Sequence, residues 1–206
     1  LQKVDSTTLL MHWQRHKGGA EHERVAQEAA KHDWTYIEFL DQLLDAEVSA
    51  RYERDVAMKT KLAHFPFMKT LDQFDFAFQP AINERQIREL ATLSFIANGE
   101  NVLFLGPPGV GKTHLAIALG MAAIQQATSV YFTTMVDLLD QLHRDAKEDR
   151  LDHRLRTLCR PKLLILDEMG YFPLDRMTAQ FLFQLVSSRY VRSSVILISN
   201  KSYGEW

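Results

Sequence analysis

The chain of 206 residues, 46% hydrophobic and 24% charged, has ordinary globular proportions, and its 24 Lys+Arg against 26 Asp+Glu leave a formal charge of −2, so no global basic excess points to nucleic acid. No apolar run is long enough to span a bilayer and no leader pattern opens the sequence, which argues against membrane and export classes. The single cysteine, Cys159, cannot close an intramolecular disulfide, and a reducing cytoplasm is the expected compartment.

The first 60 or so residues read as helix throughout. Ser6-Thr7-Thr8 can cap a helix carrying Leu9, Leu10 and Trp13, which Gly18-Gly19 stops. Thr35 and Glu38 have the spacing of a capping box, in which each side chain satisfies the other's backbone N–H. Behind it Ile37, Leu40, Leu44, Val48, Tyr52 and Val56 recur every three or four residues and mark one apolar stripe. The stripe fits a small helical domain packed on itself, anchored by Trp13 and Trp34. A docking module for a partner is the alternative, because the region holds no catalytic constellation. His12, His16, His22 and His32 lack an acid or cysteine to complete a metal-ligand pattern and read as a solvated helix face.

Five of the twelve phenylalanines lie between Phe65 and Phe78, punctuated by Pro66 and Pro80. That is too aromatic for a free linker, and an ordered strap lying on the next domain is expected.

From Ile82 the pattern alternates helix with buried strand. An amphipathic helix carrying Ile87, Leu90, Leu93 and Ile96 should stop near Asn98-Gly99, and the short apolar run 102–105 then meets a Gly/Pro loop. Helix is expected through Ile124, strand at 130–132, and helix again from Met135. Further apolar runs at 163–166 and 195–199 flank a helix carrying Phe181, Leu182, Leu185 and Val186. Strands that lack alternation and are separated by helices indicate a parallel sheet covered on both faces, an α/β fold. Residues 143–162 carry Arg144, Lys147, Arg150, Arg154, Arg156, Arg160 and Lys162 against four acids, a modest surplus that a solvated helix face explains.

The chemistry concentrates at three strand ends. Gly106-Pro107-Pro108-Gly109-Val110-Gly111-Lys112-Thr113 fits the phosphate-binding loop G-x-x-x-x-G-K-[ST], followed by His114. Its glycines let backbone N–H groups turn inward around phosphates, Lys112 can reach the outer phosphates, and Thr113 can offer its hydroxyl to Mg²⁺. The loop follows a strand and opens a helix, where unpaired N–H groups and the helix dipole favour an anion. The run 163–166 delivers Asp167, suited to holding Mg²⁺ through water, and Glu168, suited to act as general base toward a water. Asn200 ends the next strand and can bond both a γ-phosphate and that water, although such an Asn is equally at home in a turn. Cys159 has no base nearby in sequence and reads as an inert thiol. The strap phenylalanines could stack on adenine, with simple docking as the favoured role.

Loop, Asp-Glu pair and strand-end Asn, in this order, resemble the AAA+ branch of P-loop ATPases. Residues 65–76 (FPFMKTLDQFDF), 106–120 (GPPGVGKTHLAIALG), 163–175 (LLILDEMGYFPLD) and 187–200 (SSRYVRSSVILISN) look like IstB, the family of transposition helper ATPases of bacterial insertion sequences, itself similar to the helicase loader DnaC. The resemblance covers about 65–206. It implies an AAA+ core over 81–206 behind a strap (65–80) and a helical N-terminal domain (1–64). It also implies a bacterial ATPase using ATP and Mg²⁺ that self-assembles, binds duplex DNA with little sequence preference and engages a transposase. Helices over about 135–158 would line the DNA, which makes Lys147, Arg150 and Arg154 candidate phosphate contacts. The family continues beyond the equivalent of Trp206 into a strand, an arginine finger and a helical lid, which the 206 residues do not include. Arg189 and Arg192 are the nearest substitutes for a trans-acting arginine, with surface or packing roles favoured. A DnaC-like helicase loader and an ATP-gated interaction module with negligible turnover are the rival functions.

Overall fold

The computed structural model describes residues 19–170 and 175–201; the expected helix around Leu9 and Trp13, and the segment 171–174, lie outside them. The chain divides into two compact units at Asp55/Val56, within a helix, nine residues before the domain boundary expected after residue 64.

Unit 1 contains α1 (Gly19–Lys31) and most of α2 (Tyr36–Leu62). The capping box at the start of α2 is formed: the Thr35 N–H donates to Glu38 Oε2 at 2.7 Å and the Glu38 N–H donates back to Thr35 Oγ1 at 3.3 Å. The bonds that the Thr35 N–H and hydroxyl donate to it hold the Glu38 carboxyl below its ordinary pKa. The apolar stripe behaves differently from a packed face. Ile37 is 73% exposed and Val48 66%, and Leu40, Leu44 and Tyr52 also face solvent; only Val56, at the end of the stripe, is half-buried and packs on the α/β core, while Phe39, Leu43, Ala46 and Ala50 are half-buried on the other side of the helix. α2 is therefore apolar on two faces. Among the described residues, the face from Ile37 to Tyr52 is the exposed one.

Unit 2 begins with the end of α2. Ala63 is fully buried and its carbonyl accepts from Phe132 N–H at 2.8 Å, so these residues belong to the α/β core. Four parallel strands, β1 (Val102–Leu105), β2 (Val130–Thr134), β3 (Leu163–Met169) and β4 (Ser194–Ser199), stand in the order β1-β4-β3-β2. Successive strand residues feed opposite cores. Leu163, Ile165, Ile196 and Ile198 pack with Ile117 and Leu119 of α5 (Lys112–Gln125). On the other face Leu164, Leu166 and Val195 pack with Leu138 and Leu142 of α6 (Met135–Lys147), Leu158 of α7 (Leu151–Cys159) and Leu185 of α8 (Arg176–Arg189). Burial on both faces is why β2, β3 and β4 lack the alternation of a half-solvated sheet; β1, at the sheet edge, instead alternates, with Leu103 and Leu105 exposed.

One element departs from the sequence pattern. The single amphipathic helix expected from Ile87 to Ile96 is two short ones, α3 (Glu84–Leu90) and α4 (Ser94–Asn98). Between them the Thr92 hydroxyl donates to the Glu89 carbonyl at 2.7 Å and Leu93 turns left-handed (φ 65°). The break buries Leu93 and Phe95, and Gly99 (φ 69°) closes α4 where a stop was expected.

Arg189, a candidate trans-acting arginine, is a packing residue. It is 1% exposed, with Nη1 donating to Leu158 O at 2.6 Å and Nη2 to Ser194 O at 2.8 Å, so it ties the end of α7 to the start of β4. Burial pulls its pKa down to about 10, opposed by the neighbouring Cys159. Burial in turn pushes the Cys159 thiol up, consistent with an inert cysteine. Arg189→Ala would orphan buried carbonyls and leave a void, and is expected to cost about 2–4 kcal/mol of unfolding free energy. A denaturation midpoint equal to wild type would show that the side chain is dispensable to the fold.

Candidate functional site

β1, β4 and β3 are neighbours, so the loop after β1, Asn200 after β4 and Asp167 near the end of β3 meet at one edge of the sheet. The loop conformation requires its glycines. Gly106, Gly109 and Gly111 have φ of 152°, 83° and 91°, and a Cβ on Gly111 would come within 2.5 Å of the Phe74 ring. A Cβ on Gly109 would meet nothing within 4 Å, so the loop is open on that side.

Lys112, at the first turn of α5, is only 8% exposed. Its ammonium donates to Gly106 O and Pro107 O, both at 2.8 Å, and to Asn200 Oδ1 at 2.6 Å, which uses all three of its protons. Burial lowers its pKa and the charge of Asp167 opposes the shift. Thr113 Oγ1 donates to Asp167 Oδ2 at 2.7 Å. A hydroxyl and a buried carboxylate side by side are hard oxygen donors, which fits Mg²⁺. The glycine-framed loop at a helix N-terminus fits the triphosphate of ATP.

Glu168 follows Asp167 but stands in a different environment. Asp167 is 7% exposed, whereas Glu168 is exposed. The cause is a bulge: Leu166 pairs with Leu197 but Met169 pairs with Ser199, so β3 carries one extra residue there. Glu168 takes a left-handed backbone (φ 62°), and its N–H donates to Asp167 Oδ1 at 2.7 Å. Bulges re-aim side chains at the cost of strain, here about 1–2 kcal/mol for a non-glycine residue. The bulge separates a buried acid from an exposed one, and no feature of the sequence announces it.

The strap is docked, as its aromatic content suggests. Phe65 lies against Gly120, where a Cβ would come within 2.8 Å of its ring, and Phe74 lies against Gly111. His114, a candidate nucleotide-binding residue by its place directly after the loop motif, has its Nε2 bonded to Thr70 O of the strap at 3.0 Å and its ring edge-on to Phe74 at 5.2 Å. Its side chain clasps the strap. Phe74 and Thr70 are thus parts of the site that motif matching passes over; the signal was the Phe-Asp-Phe triplet at 74–76.

The basic cluster is partly engaged. Arg154 Nε donates to Asp145 Oδ2 at 2.6 Å, a largely buried pair that braces α7 against α6, and Arg150 pairs with Glu148. Lys147, in the last turn of α6, makes no ion pair among the described residues. Of the four histidines, His12 and His16 lie outside the described residues, as does the side chain of His22, and His32 is exposed 3.5 Å from Glu28. No described helix is long and apolar enough to cross a membrane.

A family model described as IstB-like ATP binding protein matches residues 15–206. The insertion sequence IS5376 ATP-binding protein of Geobacillus stearothermophilus is 50% identical over 182 residues, 88% of this chain and 72% of that protein. The insertion sequence IS21 ATP-binding protein of Pseudomonas aeruginosa is 45% identical over 184 residues, 89% of this chain and 69% of that one. Among solved structures, AMPPCP-bound DnaA from Aquifex aeolicus superposes with a TM-score of 0.58 at 21% identity, over 68% of this chain and 43% of that one. That likeness shows the fold alone, a parallel α/β sheet flanked by helices.

Proposed function

Because the chain belongs to the IstB-like ATP-binding protein family, we propose that it is an ATP-hydrolysing transposition helper that assembles on duplex DNA and engages a transposase. The observation that carries this proposal is the convergence of Lys112 with Asn200, at 2.6 Å, and of Thr113 with Asp167, at 2.7 Å, at the ends of three adjacent strands. A loop that merely turns has no need of that network.

In the proposed mechanism the loop N–H groups and Lys112 bind the β- and γ-phosphates. Phosphate oxygens replace the loop carbonyls as acceptors for the ammonium, and Asn200, already bonded to Lys112, registers the γ-phosphate. Thr113 and Asp167 would hold Mg²⁺, which when bound neutralises phosphate charge. Glu168, the exposed acid, accepts a proton from the attacking water. Asp167, buried and held by the Thr113 hydroxyl and the Glu168 N–H, is the metal's carboxylate in this reading. DNA binding measured by sedimentation with ATP, with ADP and without nucleotide tests the whole proposal. ATP-dependent assembly on DNA is expected, and identical sedimentation in all three conditions would overturn it.

For DNA, Lys147 is now the favoured phosphate contact, followed by Arg150. Each alanine substitution is expected to shrink the slope of log K against log salt by about 0.9 on duplex, equally on unrelated sequences. Arg154→Ala would also loosen α6 from α7, at about 1–3 kcal/mol, so it tests the brace rather than the contact. An unchanged slope in the Lys147→Ala, Arg150→Ala double variant would remove this face from DNA. The solvent-facing stripe of α2 is the surface we assign to the protein partner. It is apolar and flanked by Glu38, Asp41, Asp45 and Glu47, with no Lys or Arg from 36 to 50.

A further inference from the structure

At the opposite edge of the sheet, where the strands begin, lies a second cavity of about 710 Å³ that the phosphate loop does not touch and that the basic segment 143–162 reaches only through its last residue, Lys162. Leu93 and Ile96, from the break between α3 and α4, and Val191 supply its apolar wall. Lys162, just before β3, and Arg192, just before β4, supply two cations, and no acidic residue lines it. Neither cation makes an ion pair among the described residues; the Lys162 ammonium is only turned toward the Arg192 carbonyl at 3.4 Å.

The wall is built at a cost. Val191 is a β-branched residue held left-handed (φ 62°) and left 68% exposed, opposite the left-handed Leu93 and Gly99. A Cβ on Gly99 would press within 3.1 Å of the Val191 carbonyl, so glycine lets the two segments approach without displacing either. Strain combined with apolar exposure at a cavity mouth is the signature of a surface shaped for a ligand rather than for the fold.

We propose that this cavity docks an acidic amphipathic segment of a partner protein, with a leucine-sized side chain on Leu93, Ile96 and Val191 and a neighbouring carboxylate on Lys162 and Arg192. Charge complementarity selects the acid, since two cations face no counter-charge. The apolar wall selects a peptide over a nucleic-acid backbone, whose phosphates would gain nothing from covering Leu93 and Val191. The cavity takes no part in the nucleotide chemistry, so its occupancy does not depend on the proposed ATPase activity.

The test uses the whole chain and a fluorescein-labelled helical peptide of Leu-Glu-Glu-Leu repeats, read by anisotropy. Saturable binding is expected, weakened about tenfold or more when Gln replaces Glu or Ala replaces Leu in the peptide. The Lys162→Glu, Arg192→Glu double variant should lose a similar factor, whereas Lys112→Ala should leave the peptide affinity as it is. Val191→Gly is the folding control: glycine accepts this backbone, so the melting temperature should hold while peptide affinity falls severalfold. Equal binding of the Gln peptide, indifference to the charge reversal, or no saturable binding would each overturn the proposal. Displacement of the peptide by duplex DNA would overturn it in favour of a phosphate site.

Discussion

Glu168→Gln is expected to leave ATP binding close to wild type while phosphate release slows by about 10²–10⁴. The amide keeps the size of the carboxylate and its capacity to bond a water, but it cannot take up a proton. The structure makes this substitution unusually clean. Glu168 is exposed at a bulge, and its recorded contact is through its backbone N–H to Asp167 rather than through its carboxylate. The side-chain change should therefore disturb neither the Thr113–Asp167 pair nor the fold. ATP-bound assemblies should persist longer on DNA, because the step that ends them is blocked. Wild-type turnover in this variant would mean that another group prepares the water, and would sink the assignment.

Lys112→Ala should weaken ATP binding by roughly 10²–10³, the loss of charge-assisted bonds to two phosphates. Here the structure predicts a second effect. The ammonium is nearly buried and bonds Gly106 O, Pro107 O and Asn200, so its removal leaves three acceptors without a donor and slackens the loop itself. Binding and folding must therefore be read separately. A thermal melt with and without ATP does so: wild type should gain stability with ligand concentration, and the variant should show little gain whatever its own midpoint. An ATP-dependent shift equal to that of wild type would remove the loop from nucleotide binding.

Much of the core was legible because its signals are local. A phosphate loop needs glycines, a lysine and a threonine at fixed spacing, and strands buried on both faces need continuous apolar runs. Both can be read from neighbouring residues, so the α/β class, three strand ends and the Lys112, Asp167 and Asn200 positions followed from the sequence. The Thr35–Glu38 box was legible for the same reason, being closed within one turn.

What only the tertiary structure decided lies where two distant segments compete for one surface or one partner. The stripe from Ile37 to Val56 has the spacing of a buried face, but only its Val56 end packs on the core; α2 has a second apolar face through Phe39 and Leu43, and periodicity cannot say which one finds a neighbour. The helix around Leu93 is broken because burying Leu93 and Phe95 outweighs the regular hydrogen bonds of a single helix. Arg154 and Arg189 look alike as surface cations until Asp145 and the Leu158 and Ser194 carbonyls claim them. The exposure of Glu168 beside a buried Asp167 arises from strand register, a property of β3 and β4 together. Sequence determines which groups a segment offers; packing decides which partners they meet, because the free energy of burial depends on surfaces that the chain brings together only when it folds.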